Sequence, residues 1–302
     1  LAVARNAGDE WVAALVQLAL GASFTLTAHA AQGVHSLNDA LAAFRACGDQ
    51  FGRAVAHVWL ALAHWKLQQR ERALTHLEQA LALGELNQYD DLFTTRTLHG
   101  WHDARVGAPL LLEARKRGVR TTYVGKLLAA MNLENVSAHA GYQLRAQTLG
   151  AFRAWRGENE IRAGEWQRKK ARQLFQLFLT YRGRLLEREE IFELLWANES
   201  PDALARDFKV ALNQLNRVLE PERAADEPPA FIEREGTAYG LRANADVWLD
   251  ADEFSQLVVR AEKTSRDESL ELYRRALALY QDDYLNTDAR YDAWASAERE
   301  RL

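Results

Sequence analysis

Residues 201–220, PDALARDFKVALNQLNRVLE, limit the fold more than any other stretch of the chain. Projected at about 100° per residue, Leu204, Phe208, Ala211, Leu212, Leu215, Val218 and Leu219 fall on one arc. Arg206, Lys209, Asn213, Asn216 and Arg217 fall on the opposite arc, with Asp207 at its edge. One face must therefore be buried, and the other is free to meet something. Two Asn in mid-helix are poor helix formers, so propensity does not explain them.

The flanking segments have a definite order. LRAQTLGAFRAWRGENEIR reads as short strands. WQRKKARQLFQLFLTY and LEREEIFELLW read as two helices, and FIEREGTAYGL reads as a hairpin with its tip at Gly236. Sheet, three helices and hairpin form the layout of a winged helix-turn-helix, whose third helix enters a DNA major groove. On that layout the free arc of the third helix offers Arg for guanine edges, Asn for adenine edges, and Lys or Arg for phosphates. An ordinary solvated helix face is the plainer alternative.

Arg168, Lys169, Lys170 and Arg172 open the first helix, where the macrodipole disfavours cations. Phosphate contact would account for them, since backbone N–H groups at a helix start also hold phosphate. A solvated helix start is the alternative. Arg234 and Thr237 flank the hairpin tip, where Arg234 could touch phosphate or enter the minor groove, or be a plain surface charge. Tyr239 reads as core at the base of the hairpin. In the loop WANESPDA, Ser200 or Asp202 reads as a start signal for the third helix; the functional alternative is a loop that faces RNA polymerase.

Charge bears on this reading. The chain has 302 residues and a formal net charge of −4. Residues 1–143 carry 13 Lys+Arg against 12 Asp+Glu, residues 144–242 carry 17 against 16, and residues 243–302 carry 8 against 14. The acidity sits at the end of the chain. Any positive field in the middle third must come from local clustering, so an isolated copy is expected to bind DNA modestly.

The first 140 residues read as antiparallel helical hairpins. Leu60, Ala61, Ala73, Leu77 and Ala80 match the small and large positions of a tetratricopeptide repeat. Ala40, Phe44 and Cys47 repeat that spacing one period earlier, which assigns Cys47, the single cysteine, to a buried packing slot. SLELYRRALALYQDDYL places Ser269, Tyr273 and Ala276 at the same spacing again. The expected domains are helical repeats over 1–140, the winged helix over 144–242, and the start of a second, truncated helical-repeat domain over 246–302. SAHAGYQ and RANADVW read as the breaks between them.

Several chemistries lack their motifs. There is no G-x-x-x-x-G-K-[ST], no H-E-x-x-H and no G-x-S-x-G. His99 and His102 in HGWH have no third ligand nearby. The expectation is a non-enzymatic segment with no cofactor or metal of its own. No apolar run approaches the roughly 20 residues of a membrane span, and no secretory signal is visible. A single cysteine fits a reducing cytoplasm. A start at Leu1 and an end within a helical pattern read as a fragment of a longer protein.

TLGAFRAWRG, KKARQLFQLFLTYRGRLLEREEIFELLW, FKVALNQLNRVLEP and FIEREGTAYGL resemble the SARP-type activators (Streptomyces antibiotic regulatory proteins), whose DNA-binding domain is OmpR-like. The segment from DADEF through YDAWASAERERL resembles the beginning of the bacterial transcriptional activator domain that follows in that family. GAPLLLEARKRGVRTTYVGKLLAAM resembles the end of the repeat superhelix of MalT-like regulators. One departure is that Asn213, Gln214 and Asn216 take places that are usually more basic in the family's third helix. The resemblance implies a mainly α protein with helical repeats flanking an OmpR-like winged helix. It also implies a sequence-specific transcriptional activator in the cytoplasm. The implied partners are double-stranded DNA, RNA polymerase with its sigma factor, and an inducer or protein at the repeats, with no membrane. A nucleotide-binding ATPase domain would lie upstream. The competing reading is an interaction scaffold whose winged helix binds protein.

Overall fold

The computed structural model describes residues 8–27, 29–197 and 201–302. The chain divides into two compact units, Leu1–Gly141 and Tyr142–Leu302. The architecture is mainly α with small β-sheets, as the sequence pattern requires.

The first unit is helical. It comprises α1 Glu10–Leu26, α2 Ala30–Cys47, α3 Gln50–Lys66, α4 Arg70–Asn87, α5 Ala108–Lys116 and α6 Thr121–Ala130, with a helical turn at Asp91–Thr94. Asp9 and Asp49 cap α1 and α3 by accepting from the Val12 and Gly52 amides at 3.0 and 2.8 Å. Gly48, at φ +76°, ends α2 in the left-handed conformation. Small residues set the pairing of α1 with α2. A methyl on Gly21 would meet Leu37 Cγ at 2.5 Å, and one on Gly33 would meet the Gly21 carbonyl at 2.9 Å. Helix α3 is apolar nearly all round and is buried from Ala54 to His64, as a central helix must be.

The repeat spacing assigned Leu60, Ala61, Ala73, Leu77, Ala80, Ala40 and Phe44 to packing positions, and each is fully buried. Cys47 is a correction. It is the last residue of α2 and is exposed, with its Sγ 3.5 Å from the Phe44 carbonyl. Its phase matches that of Ala40 and Phe44, but as the final residue of the helix it stays uncovered.

The second unit begins with β1 Leu144–Gln147, β2 Arg153–Arg156 and β3 Asn159–Glu160. Then come α7 Lys169–Thr180, β4 Leu186–Glu187, α8 Arg188–Trp196 and α9 Pro201–Leu219. The hairpin β5 Ile232–Glu235 and β6 Ala238–Leu241 follows, then β7 Val247–Leu249, α10 Asp250–Ala261, α11 Arg266–Leu279 and α12 Ala293–Arg301. Strands β5, β6 and β4 form an antiparallel sheet in the order β4-β6-β5. The other sheet runs β3-β2-β1-β7, with β7 parallel to β1. Strand β7 begins inside the stretch RANADVW, read from sequence as a break between domains. Helix α7 carries the core: Leu174, Phe175, Leu177, Phe178 and Leu179 are buried. Phe208 of α9 meets Phe192, Trp196 and Tyr239 edge-on, with ring centroids 5.6, 6.1 and 5.0 Å away.

The segment after the hairpin is tied to what precedes it. Asp250, buried at the start of α10, accepts from the Thr148 and Leu149 amides at 2.8 Å and from Thr148 Oγ1 at 2.7 Å. The Leu285 amide donates to the Thr148 carbonyl at 2.8 Å, and the Tyr284 hydroxyl lies 2.8 Å from Thr180 Oγ1. Arg182 pairs with Asp252 and with Glu298 of α12. Helices α10 and α11 pack on each other through Leu257, Ala261, Leu272 and Ala276. Tyr273, placed by the repeat spacing at a packing position, is 37% exposed instead. It lies one residue round from the buried Leu272 stripe.

Candidate nucleic-acid interface

Helix α9 divides as its periodicity requires. Phe208, Ala211, Leu215, Val218 and Leu219 are buried, and Leu204 and Leu212 are half-buried. Arg206, Lys209, Asn213 and Arg217 are exposed on the opposite arc. The Arg206 side chain is 73% exposed, and its ion pair with Asp207, Nε to Oδ1 at 3.3 Å, is a solvated contact of little strength. Asn216 is half-buried, and its Oδ1 is shielded without a hydrogen-bond partner among the described residues. A shielded, unpaired amide oxygen is costly, so a rotation that gave it a partner would be favourable. Ser200 lies outside the described residues, and so does the side chain of Asp202.

The basic cluster at the start of α7 divides into two pairs. Arg168 and Lys169 are exposed. Lys170 turns inward: its ammonium donates to the Leu195 carbonyl and lies 5.0 Å from the Trp196 ring centre. It thereby holds the last turn of α8, where a cation suits the helix dipole. Arg172 donates to the Phe152 carbonyl at 3.1 Å and pairs with Asp288 at 2.8 Å. Two of the four cations are thus engaged inside the unit, and two face solvent.

At the hairpin, β5 and β6 turn through Gly236, at φ +58°, and Thr237. A residue with a side chain is strained at that φ, which explains the glycine. Arg234 is exposed; its Nε donates to the Gly236 carbonyl at 2.9 Å, and its guanidinium lies 5.5 Å from the Tyr239 ring centre. Thr237 Oγ1 donates to Glu187 at 2.8 Å, joining the tip to β4. Tyr239 is buried at the hairpin base, as its pattern implied. The hairpin surroundings are not uniformly positive: Glu235 is exposed, and Glu233 pairs with Arg242 at 3.1 Å.

The C-terminal end of α9 contains the features that the sequence did not signal. Arg156 Nη1 donates to the Val218 carbonyl at 2.6 Å, and the Tyr142 hydroxyl donates to the Leu219 carbonyl at 2.5 Å. Two side chains from the sheet region thus satisfy consecutive orphan carbonyls, where a capping glycine would otherwise be usual. Burial pushes the Tyr142 phenol above its ordinary pKa. Glu220 follows immediately. It is buried and accepts from the Ala230 amide with both oxygens at 3.0 Å, anchoring the loop that enters β5. Burial pushes its carboxyl above the usual carboxylate range. The one available sequence signal was Arg156 itself, a cation between Trp155 and Gly157 at a strand end.

Among the described residues, no group of three or more His, Cys, Asp or Glu could hold a metal ion, and no helix is long and apolar enough to cross a membrane. The geometry is a surface that can touch a partner through one helix face and a hairpin tip. No family model matches the chain. It is similar to the regulatory protein AfsR of Streptomyces coelicolor, with 29% identity over 146 residues. The match takes in 47% of this chain and 14% of that relative, so the chain spans only a small part of the protein it resembles.

Proposed function

We propose that the second unit is an OmpR-like winged helix that binds duplex DNA sequence-specifically, within a transcriptional activator of the SARP type. The observation that carries the reading is the exposed arc of α9. Arg206, Lys209, Asn213 and Arg217 stand on a helix whose other face is locked into the core. They are the side-chain types that read base edges and phosphates. Similarity to a protein named as regulatory supports the same reading. Arg168 and Lys169 supply phosphate contacts beside the helix, and Arg234 and Thr237 sit at the hairpin tip. RNA polymerase with its sigma factor is the proposed downstream partner. The helical unit regulates, receiving an inducer or a protein as helical-repeat arrays do, and the intact protein works in the cytoplasm.

The test is selection of bound duplexes from a random pool by the whole chain, followed by a salt titration on the enriched sequence. The reading requires a shared motif and an affinity that falls steeply with salt. Failure to enrich any motif would leave the scaffold reading, in which the acids near the hairpin tip face a protein.

A further inference from the structure

Three side-chain contacts join the last turn of α9 to the short 3-10 turn Ala163–Trp166, which leads directly into Gln167, Arg168 and Lys169. Arg156 donates to the Val218 carbonyl of α9 through Nη1 and forms an ion pair with Glu165 through Nη2. Glu165 accepts in turn from the Arg162 amide at 2.9 Å, and Gln214 of α9 reaches the Glu165 carbonyl at 3.5 Å. Arg156, Glu165, Gln167, Gln214 and Arg217 line one shallow recess, so the exposed Arg217 stands at the rim of this junction.

The Arg156 side chain is only 16% exposed and its partner Glu165 is 37% exposed. The hydrogen bond from Arg156 holds the Glu165 carboxyl below the usual range. A planar guanidinium with two fixed partners has little rotational freedom left. It therefore transmits position, and it sets where the helix end lies relative to the loop that presents Arg168 and Lys169.

We infer that Arg156, with Glu165, is a positioning pair that fixes the register between the base-reading end of α9 and the phosphate-contacting start of α7. The inference rests on the DNA-binding reading above. Base contacts specify a sequence only when phosphate contacts hold the helix in one orientation. Loosening the pair should therefore reduce discrimination more than affinity.

The experiment uses the whole chain and the duplex selected from the random pool, with single-base variants of it and an unrelated duplex. Arg156→Met removes both bonds, Glu165→Gln removes the charge but keeps the Val218 bond, and Arg156→Lys keeps the cation without the planar fork. Arg156→Met should lower discrimination between the selected duplex and its variants about tenfold. Affinity for the unrelated duplex and its salt slope should change less than about twofold. Glu165→Gln should give a smaller loss of the same kind, and Arg156→Lys should restore part of it.

Wild-type discrimination in Arg156→Met, or equal losses on all duplexes in proportion to lost folded protein, would overturn the inference. If Arg156→Met does not fold, Glu165→Gln decides the matter by the same two ratios. A wild-type chain that selects no duplex refutes the DNA-binding reading itself, a result distinct from either outcome.

Discussion

Acid should weaken the helical unit through two histidines. His57 of α3 and His76 of α4 face each other with their Nδ1 atoms 3.0 Å apart, so one ring donates and the other accepts, both neutral. His57 is buried and His76 half-buried. Burial first, then His76, Arg45 and Arg53, lowers the His57 pKa to about 4; burial first, then His64 and Arg45, lowers that of His76 to about 4. Both values lie below the unfolded value of 6.5, so the unfolded chain takes up protons that the folded unit refuses. Stability is full above about pH 6.5 and declines as the pH falls towards 4.

At pH 5 the loss is about 2 kcal/mol per imidazole, and about 2–4 kcal/mol for the coupled pair. At roughly 3 °C per kcal/mol for a unit of this size, the melting temperature should drop by about 6–12 °C between pH 7 and pH 5. A fluorophore on Cys47, the sole cysteine and exposed, reports this unit separately from the other. Carboxylates also titrate near pH 5, so the decisive quantity is the difference between wild type and a His57→Gln/His76→Gln double variant. The variant should lose most of the pH dependence. Parallel decline of the two proteins would refute the linkage.

Leu215→Ala, at a fully buried position on the core face of α9, should cost about 2–5 kcal/mol by denaturant unfolding, while the folded fraction still discriminates between duplexes. Lys169→Ala should lower the salt slope of DNA binding by about 0.9, one phosphate contact, in a plot of log affinity against log salt. Lys170→Ala should leave that slope unchanged and destabilise the second unit by about 1 kcal/mol in thermal unfolding, because its ammonium holds the end of α8. Asp250→Ala leaves the Thr148 and Leu149 amides unpaired in a buried site. It should cost about 2–5 kcal/mol, read as faster hydrogen exchange across residues 144–156.

The split of α9 into buried and free faces was legible because helical periodicity is local. The hairpin was legible because Gly236 marks its turn, and the helical pairs because small residues recur at close to a fixed spacing. Long-range pairing was not legible. Strand β7 spans three residues in a stretch rich in turn formers, and its partner β1 lies about a hundred residues earlier. Asp250 reads as one of several acids in an exposed helix start until Thr148 is placed beside it.

The site shows the same limit. Which cations face outward follows from partners that periodicity cannot see. Arg172 is engaged by an aspartate 116 residues away, and Lys170 by a carbonyl at the end of another helix. The capping of α9 by Tyr142 and Arg156 is of this kind as well: both residues come from outside the helix. Cys47 failed for a local reason, since a repeat spacing gives no warning of where its helix stops.

Binding of the selected duplex by an Arg206→Ala/Arg217→Ala double variant is the most direct measurement of whether α9 reads DNA. Both side chains are exposed, so substitution should leave the fold and its melting temperature essentially unchanged. If both residues read base edges, each should cost about 1–3 kcal/mol on the selected duplex and relax preference at its own position. An unchanged affinity and motif, with the fold intact by circular dichroism, would contradict the assignment of α9 as the reading helix.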